Sequence, residues 1–188
     1  MKIIVGMTGA TGAIYGITML RVLQSLGIES HLIISRWAEK TIALECRETV
    51  EQIRNLASCC YHEDAQDAPI SSGSFKTDGM AVIPCSMKTL AAISHSMNNN
   101  LISRAADIVL KERKKLVVVA RETPLNMLHL ENMLRLTQAG GIVLPPMPAF
   151  YNNPKTIQDI VNHTVMRVLD QFSIGCKLTP RWGEDGLL

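Results

Sequence analysis

MKIIVGMTGATGAIYGITMLRVLQSL, residues 1–26, is the stretch whose reading decides the fold. Ile3, Ile4 and Val5 form a short apolar run, and the eight residues from Gly6 to Ala13 are rich in glycine and hydroxyls. Beyond them the apolar period lengthens. Tyr15, Met19, Val22, Leu23 and Leu26 recur at the spacing of one helix face. A buried strand, a glycine-rich turn and a helix, in that order, open an α/β nucleotide-binding domain. Gly9 and Gly12 let the backbone approach a ligand, and the first N–H groups of the helix have no intrahelical partner. A phosphate can take those donors with support from the helix dipole. Thr8 and Thr11 add hydroxyls at the same place.

The type of nucleotide is narrowed by what the loop lacks. The dinucleotide fingerprint requires G-x-G-x-x-G and an acid at the end of the second strand to hold a ribose. This loop is spaced differently, and the second strand ends at Ser35 and Arg36 without a carboxylate, which argues against NAD. No G-K-[ST] follows, so a P-loop is excluded. The competing reading is a tight strand-to-helix turn with no ligand; a mononucleotide phosphate is preferred.

The 188 residues are 47% hydrophobic and 19% charged, which fits one globular domain, residues 1–188, with a substantial core. No apolar run reaches the length of a membrane span, and Met1-Lys2 leads directly into a strand rather than a signal peptide. A net charge of +2 gives no argument for nucleic acid. Cys46, Cys59, Cys60, Cys85 and Cys176 form no CxxC pattern, which points to reduced thiols and a cytoplasmic location. Ten methionines against three phenylalanines indicate a soft core or a soft apolar surface.

Along the chain, residues 29–35 read as the second strand. Residues 37–47 read as a helix with Ala38, Ile42 and Cys46 on one face, and residues 50–61 as another helix. Residues 62–78 form an irregular excursion with room for one short strand. Residues 80–84 are a strand, and Ser86 caps the helix that follows from Met87. Asn98, Asn99 and Asn100 break the chain before a helix facing inward with Leu101, Ile102, Ala105, Ile108 and Val109. Residues 116–120 are a buried strand, followed by a helix with Met127, Leu130, Met133 and Leu134 inward. Residues 141–145 are a strand ending in a rigid proline loop. The last long helix carries Ile157, Ile160, Val161, Val165, Val168, Leu169 and Phe172, and the tail from Cys176 has no period. The alternation predicts a three-layer α/β/α domain with a parallel sheet of about six strands and right-handed crossovers. Ligands bind such sheets beyond the carboxyl ends of the strands. Thr8–Gly12, Ser35, Cys85–Thr89, Arg121–Glu122 and Tyr151 all follow strands, so they are expected to converge on one site.

Six stretches carry a resemblance. They are GMTGATGAIYG (6–16), PCSMKTL (84–90), NNNLISRAADIVLKERKKLVVVARETP (98–124), HLENMLRL (129–136), FYNNP (150–154) and PRWGE (180–184). In this order they resemble the UbiX-type flavin prenyltransferases, which are similar in fold to the homo-oligomeric flavin-containing cysteine decarboxylases. The resemblance implies a Rossmann-like six-stranded sheet, usually assembled as a dodecamer with sites at subunit junctions. It implies transfer of a dimethylallyl group from dimethylallyl monophosphate to reduced FMN, the prenylated FMN serving a partner decarboxylase acting on aromatic or phenolic acids. Carried over, Gly9, Ala10 and Thr11 would hold the FMN phosphate or its neighbourhood, and Ser35, Ser86, Met87, Lys88, Thr89 and Arg121 would complete the flavin site. Tyr151 and Arg167 would grip the donor phosphate. Arg104, Lys111, Glu45 and Glu122 would surround the reacting atoms, and Trp182, in a tail of about residues 176–188, would cover the donor's apolar group. Many members have Ser where this chain has Thr11, which keeps the hydroxyl and adds a methyl.

The implied chemistry accounts for these residue types. Breaking a carbon–oxygen bond to phosphate builds charge on the leaving group, and Lys111, Arg167 and the Tyr151 hydroxyl would stabilise it as preorganised donors. Bonding at the flavin ring carbon releases a proton, which Glu45, Glu122 or the departing phosphate would accept. No Asp-rich metal motif occurs, so basic residues would do the work that Mg²⁺ often does. The five histidines are scattered, and each reads as structural. Two rival functions stand beside this one: a flavin-dependent decarboxylase, and a non-catalytic FMN-binding subunit of a decarboxylase complex. The second would have no use for Lys111, Tyr151 and Arg167 together.

Overall fold

A computed structural model describes residues 1–184 of the chain. Its centre is a six-stranded parallel sheet. The strands are β1 (Lys2–Met7), β2 (Glu29–Ile34), β3 (Cys59–His62), β4 (Gly79–Cys85), β5 (Lys115–Ala120) and β6 (Ile142–Val143), in the order β3-β2-β1-β4-β5-β6. The helices are α1 (Ala13–Ser25), α2 (Arg36–Glu45), α3 (Val50–Arg54), α4 (Met87–Ser94), α5 (Leu101–Lys111), α6 (Met127–Gln138) and α7 (Ile157–Gln171).

The period of two along each strand sorts the helices into layers. Ile3, Val5, Met7, Leu32, Ile34, Ala81, Ile83, Val117 and Val119 point to one face and meet α1, α2, α3 and α7 through Ile17, Leu20, Ile42, Ile53, Val165 and Leu169. Ile4, Ile33, Met80, Val82, Leu116, Val118 and Ala120 point to the other, where α4, α5 and α6 supply Leu90, Ile102, Ala105 and Leu136. The strands are apolar on both faces because helices cover both. The methionines divide between the two expected uses: Met7, Met19, Met80 and Met166 are buried, whereas Met97, Met127 and Met147 are exposed.

Three local expectations are corrected. Residues 50–61 are not one helix. A capping box between Thr49 and Gln52 starts α3, which ends at Arg54, and Cys59–His62 then pair with His31–Ile34 as the edge strand β3. Long-range pairing has overridden the local pattern. The excursion after His62 holds only a single 3₁₀ turn, Pro69–Ser71, among its regular elements. On α6 the inward residue is Leu136, with Met133 partly buried, while Met127, Leu130 and Leu134 are 70%, 49% and 59% exposed. The helix packs on α4 beside a strand only two residues long, so most of its apolar face reaches the surface of the single chain.

Candidate active site

The first loop is bolted to the neighbouring strand end. The Thr8 hydroxyl donates to the Pro84 carbonyl at 2.9 Å and accepts from the Ser86 N–H at 2.8 Å. Thr8 is therefore a fastener between β1 and β4, and its hydroxyl is not directed at a ligand as the sequence suggested. Gly9 lies against α2: a Cβ there would stand 2.6 Å from the Trp37 Cβ. Gly12 adopts φ +100°, a left-handed conformation that glycine tolerates, and turns the chain into α1.

The donors at the start of α1 already have an anion. Glu45, from the last turn of α2, accepts the Gly12 N–H at 2.8 Å and the Ala13 N–H at 3.2 Å. A carboxylate there is favoured by the unpaired N–H groups and the helix dipole. The phosphate expected at this helix start meets Glu45 instead.

Two cavities flank the loop. The first, about 400 Å³, is lined by Gly9, Ser35, Ser86, Lys88 and Thr89, among others. It receives the beginnings of α2, α4 and α5. Ser35 caps α2 by accepting from the Ala38 N–H at 3.1 Å, and Ser86 caps α4, its hydroxyl 3.2 Å from that of Thr89. Helix starts, hydroxyls and the Lys88 ammonium suit a phosphate, and the volume lies in the range of small-molecule sites. The second cavity, about 380 Å³, is lined by Thr11, Gly12, Tyr15, Glu45, Arg121 and apolar side chains including Ile14, Ile157 and Val161. Burial raises the Tyr15 phenol pKa there, with the Arg121 charge opposing. One carboxylate, one guanidinium and an apolar wall suit an amphiphile with a charged head.

The remaining candidates lie apart within one chain. Ala10 is half-buried in the loop, and Met87 packs against the core beneath α4. Glu122 is exposed and accepts the Thr123 N–H at 3.0 Å. The Arg104 Nε donates to the Ser71 carbonyl at 3.2 Å. Lys111 pairs with Glu112 at 2.6 Å at the end of α5, whose eleven residues run about 16 Å back from the strand ends. Tyr151, Arg167 and Trp182 form a third group. The Tyr151 hydroxyl is 3.0 Å from the His163 Nε2, the Tyr151 and Trp182 rings meet edge to face, and Arg167 pairs with Asp170 at 2.9 Å. A single chain thus gathers the expected residues into three groups and leaves Arg104, Lys111 and Glu122 apart from them. Among the described residues, no three His, Cys, Asp or Glu side chains gather into a metal-binding group.

A family model described as Flavoprotein matches residues 1–169. Over 182 residues the chain is 56% identical to a probable UbiX-like flavin prenyltransferase of Bacillus subtilis (strain 168), covering 97% of this chain and 89% of that protein. The chain belongs to the UbiX-like flavin prenyltransferases. The crystal structure of AnUbiX (PadA1) in complex with FMN and dimethylallyl pyrophosphate superposes with a TM-score of 0.95 at 50% identity, covering 96% of each chain. A dodecameric FMN-dependent UbiX-like decarboxylase from Escherichia coli O157:H7 superposes equally well, TM-score 0.95 at 54% identity, over 97% of this chain and 99% of that one.

In this UbiX-like chain several residues that the sequence did not single out shape the site. Glu63 is buried in the wall of the first cavity, accepting the Arg36 N–H at 2.8 Å and the Asn100 side-chain amide at 3.2 Å. It ties the end of β3 to the starts of α2 and α5. Asp170 holds Arg181 of the tail through both carboxylate oxygens, at 2.7 and 2.9 Å. The one available signal was the helical spacing of His163, Arg167 and Asp170, which puts them on one stripe of α7.

Proposed function

We propose that this protein is a flavin prenyltransferase that moves a dimethylallyl group from dimethylallyl monophosphate to reduced FMN. The observation that carries the reading is its 50% identity, over 96% of its length, with AnUbiX, whose crystal structure holds FMN and dimethylallyl pyrophosphate together. We further propose that the product serves a partner decarboxylase of aromatic or phenolic acids, that the protein acts in the cytoplasm, and that it works as a homododecamer. Among the described residues, no helix is long and apolar enough to cross a membrane.

In this reading residues 1–188 form one flavin-binding unit, closed by a tail beginning near residue 176. Residues 185–188 of that tail lie outside the described structure. Ser35, Ser86, Lys88 and Thr89 would hold the FMN phosphate, because Glu45 already occupies the start of α1. Gly9, Ala10 and Thr11 would line the flavin, backed by Met87, and Arg121 would close the site from the second cavity. Reduced FMN, as acceptor substrate, supplies the nucleophilic ring positions. Tyr151, Arg167, Arg104 and Lys111 would bind the donor phosphate and stabilise the charge that grows on it as the carbon–oxygen bond breaks. Glu45, fixed by two backbone N–H groups, would accept the proton released at the ring carbon, with Glu122 or the freed phosphate as alternative acceptors. Trp182 would shield the apolar group from water. Lys111 stands at the far end of α5, about 16 Å along the helix from its start, which supports a site assembled from more than one subunit.

Binding and kinetics test the assignment. FMN should raise the melting temperature and NADH should not. Tyr151→Phe and Arg167→Ala should raise the donor KM more than they change FMN affinity. Equal stabilisation by NADH, or loss of FMN binding in both variants, would overturn it.

A further inference from the structure

Tyr151 belongs to the irregular segment between β6 and α7 and is 42% exposed, yet its ring is held on two sides. Trp182 meets it edge to face, ring centres 5.2 Å apart at 90°, and His163 does so at 5.8 Å and 83°. The hydroxyl at its tip lies 3.0 Å from His163 Nε2. His163 projects from α7 and is itself buried, so its ring has little freedom to follow the loop. Arg167 stands four residues further along the same helix face, its guanidinium paired with Asp170 at 2.9 Å and its charge felt by the His163 ring.

We propose that His163 is a positioning residue for the prenyl donor, fixing the Tyr151 hydroxyl beside Arg167 so that both meet one phosphate. The proposal rests on the reading of Tyr151 and Arg167 as donor-phosphate residues. A phenol has one proton to give and lone pairs to receive. When Nε2–H donates into the phenol oxygen, the phenol proton is left for a phosphate oxygen, and its direction is set before the donor arrives. Burial, then the nearby Arg167 charge, lowers the His163 pKa; Arg181 acts in the same direction and Asp170 opposes. The shift favours the neutral imidazole, the form that adds no charge of its own to the site.

His163→Phe keeps a flat ring and removes the nitrogen; His163→Gln keeps a side-chain N–H of similar reach. With dimethylallyl monophosphate as the varied substrate, His163→Phe should raise KM about tenfold, the scale of one lost hydrogen bond. The fall in kcat should be far smaller, FMN affinity should hold, and His163→Gln should recover most of the loss. In a Tyr151→Phe background the His163→Phe change should add little, because the two residues act as a unit. An unchanged KM, additive effects, or a Gln variant as impaired as Phe would overturn the proposal. If His163→Phe fails to fold, imidazole ¹⁵N shifts in the wild type and in Tyr151→Phe decide. A His163 signal indifferent to loss of the phenol contradicts the proposal, and a shifted one supports it. A wild-type protein that yields no flavin heavier by one C5 unit refutes the transferase reading and the proposal together; normal wild-type turnover with an indifferent His163→Phe refutes the proposal alone.

Discussion

Glu45 determines how the first loop is used. Its carboxylate takes the N–H groups of Gly12 and Ala13, the donors that a phosphate at the start of α1 would need. Glu45→Gln keeps an acceptor oxygen and the shape of the side chain, so the fold and FMN affinity should persist. Turnover should fall about a hundredfold, the usual cost of losing a general base. A marked gain of FMN affinity in this variant would put the FMN phosphate back on α1, where the carboxylate charge would have opposed it. Gly9→Ala probes the same loop from the other side. The added Cβ would come within 2.6 Å of the Trp37 Cβ, which is not a flexible chain end, so loop or helix must move. FMN affinity measured by fluorescence should drop while the core, built elsewhere, keeps the protein folded. Ser86 was legible in the sequence as a cap because an N-cap is a local event, set within three residues. Glu63 and His163 were not: their partners, Arg36 with Asn100 and Tyr151, lie 12 to 37 residues away.

At the scale of elements, the Arg181–Asp170 ion pair ties the tail to α7, beside the Thr179 hydroxyl's contact with Met166 Sδ at 3.9 Å. Arg181, chiefly through its hydrogen bonds, holds the Asp170 carboxyl below its ordinary pKa. A carboxyl depressed in the folded state contributes stability that is fully present above its unfolded pKa of about 3.9. The contribution is lost as pH falls through the folded value. Acidification below about pH 4 should therefore release the tail, read as a change in Trp182 emission in a Trp37→Phe background. Asp170→Asn should release it at neutral pH; an emission indifferent to both would show that the tail is held by other contacts. The strands of the sheet interior were readable because each carries an apolar run between turn residues. Edge strand β3 was not, since Cys59–His62 have a mixed burial pattern and owe their extension to pairing with β2. The apolar stripe of α6 was readable as a stripe, but local sequence does not say what covers it.

For the whole molecule, that uncovered stripe and the position of Lys111 point the same way. Met127, Leu130 and Leu134 are exposed on one chain, and apolar helix faces of this kind are commonly closed by symmetric copies. Light scattering should report a closed oligomer at micromolar concentration, and Leu130→Glu with Leu134→Glu should break it into smaller species. A wild-type monomer would count against a shared site. Lys111→Met should leave FMN binding and melting temperature intact while turnover falls about a hundredfold, the scale of a lost charge stabiliser. Unfolding would return Lys111 to a structural role beside Glu112 and Gly73. The central claim is prenyl transfer itself, and mass spectrometry reads it directly. Anaerobic incubation of the protein with reduced FMN and dimethylallyl monophosphate should yield a flavin heavier by one C5 unit, with the pyrophosphate ester as a parallel arm for the donor's form. An unchanged flavin mass, together with CO₂ released from an aromatic acid by this chain alone, would contradict the account and identify a decarboxylase.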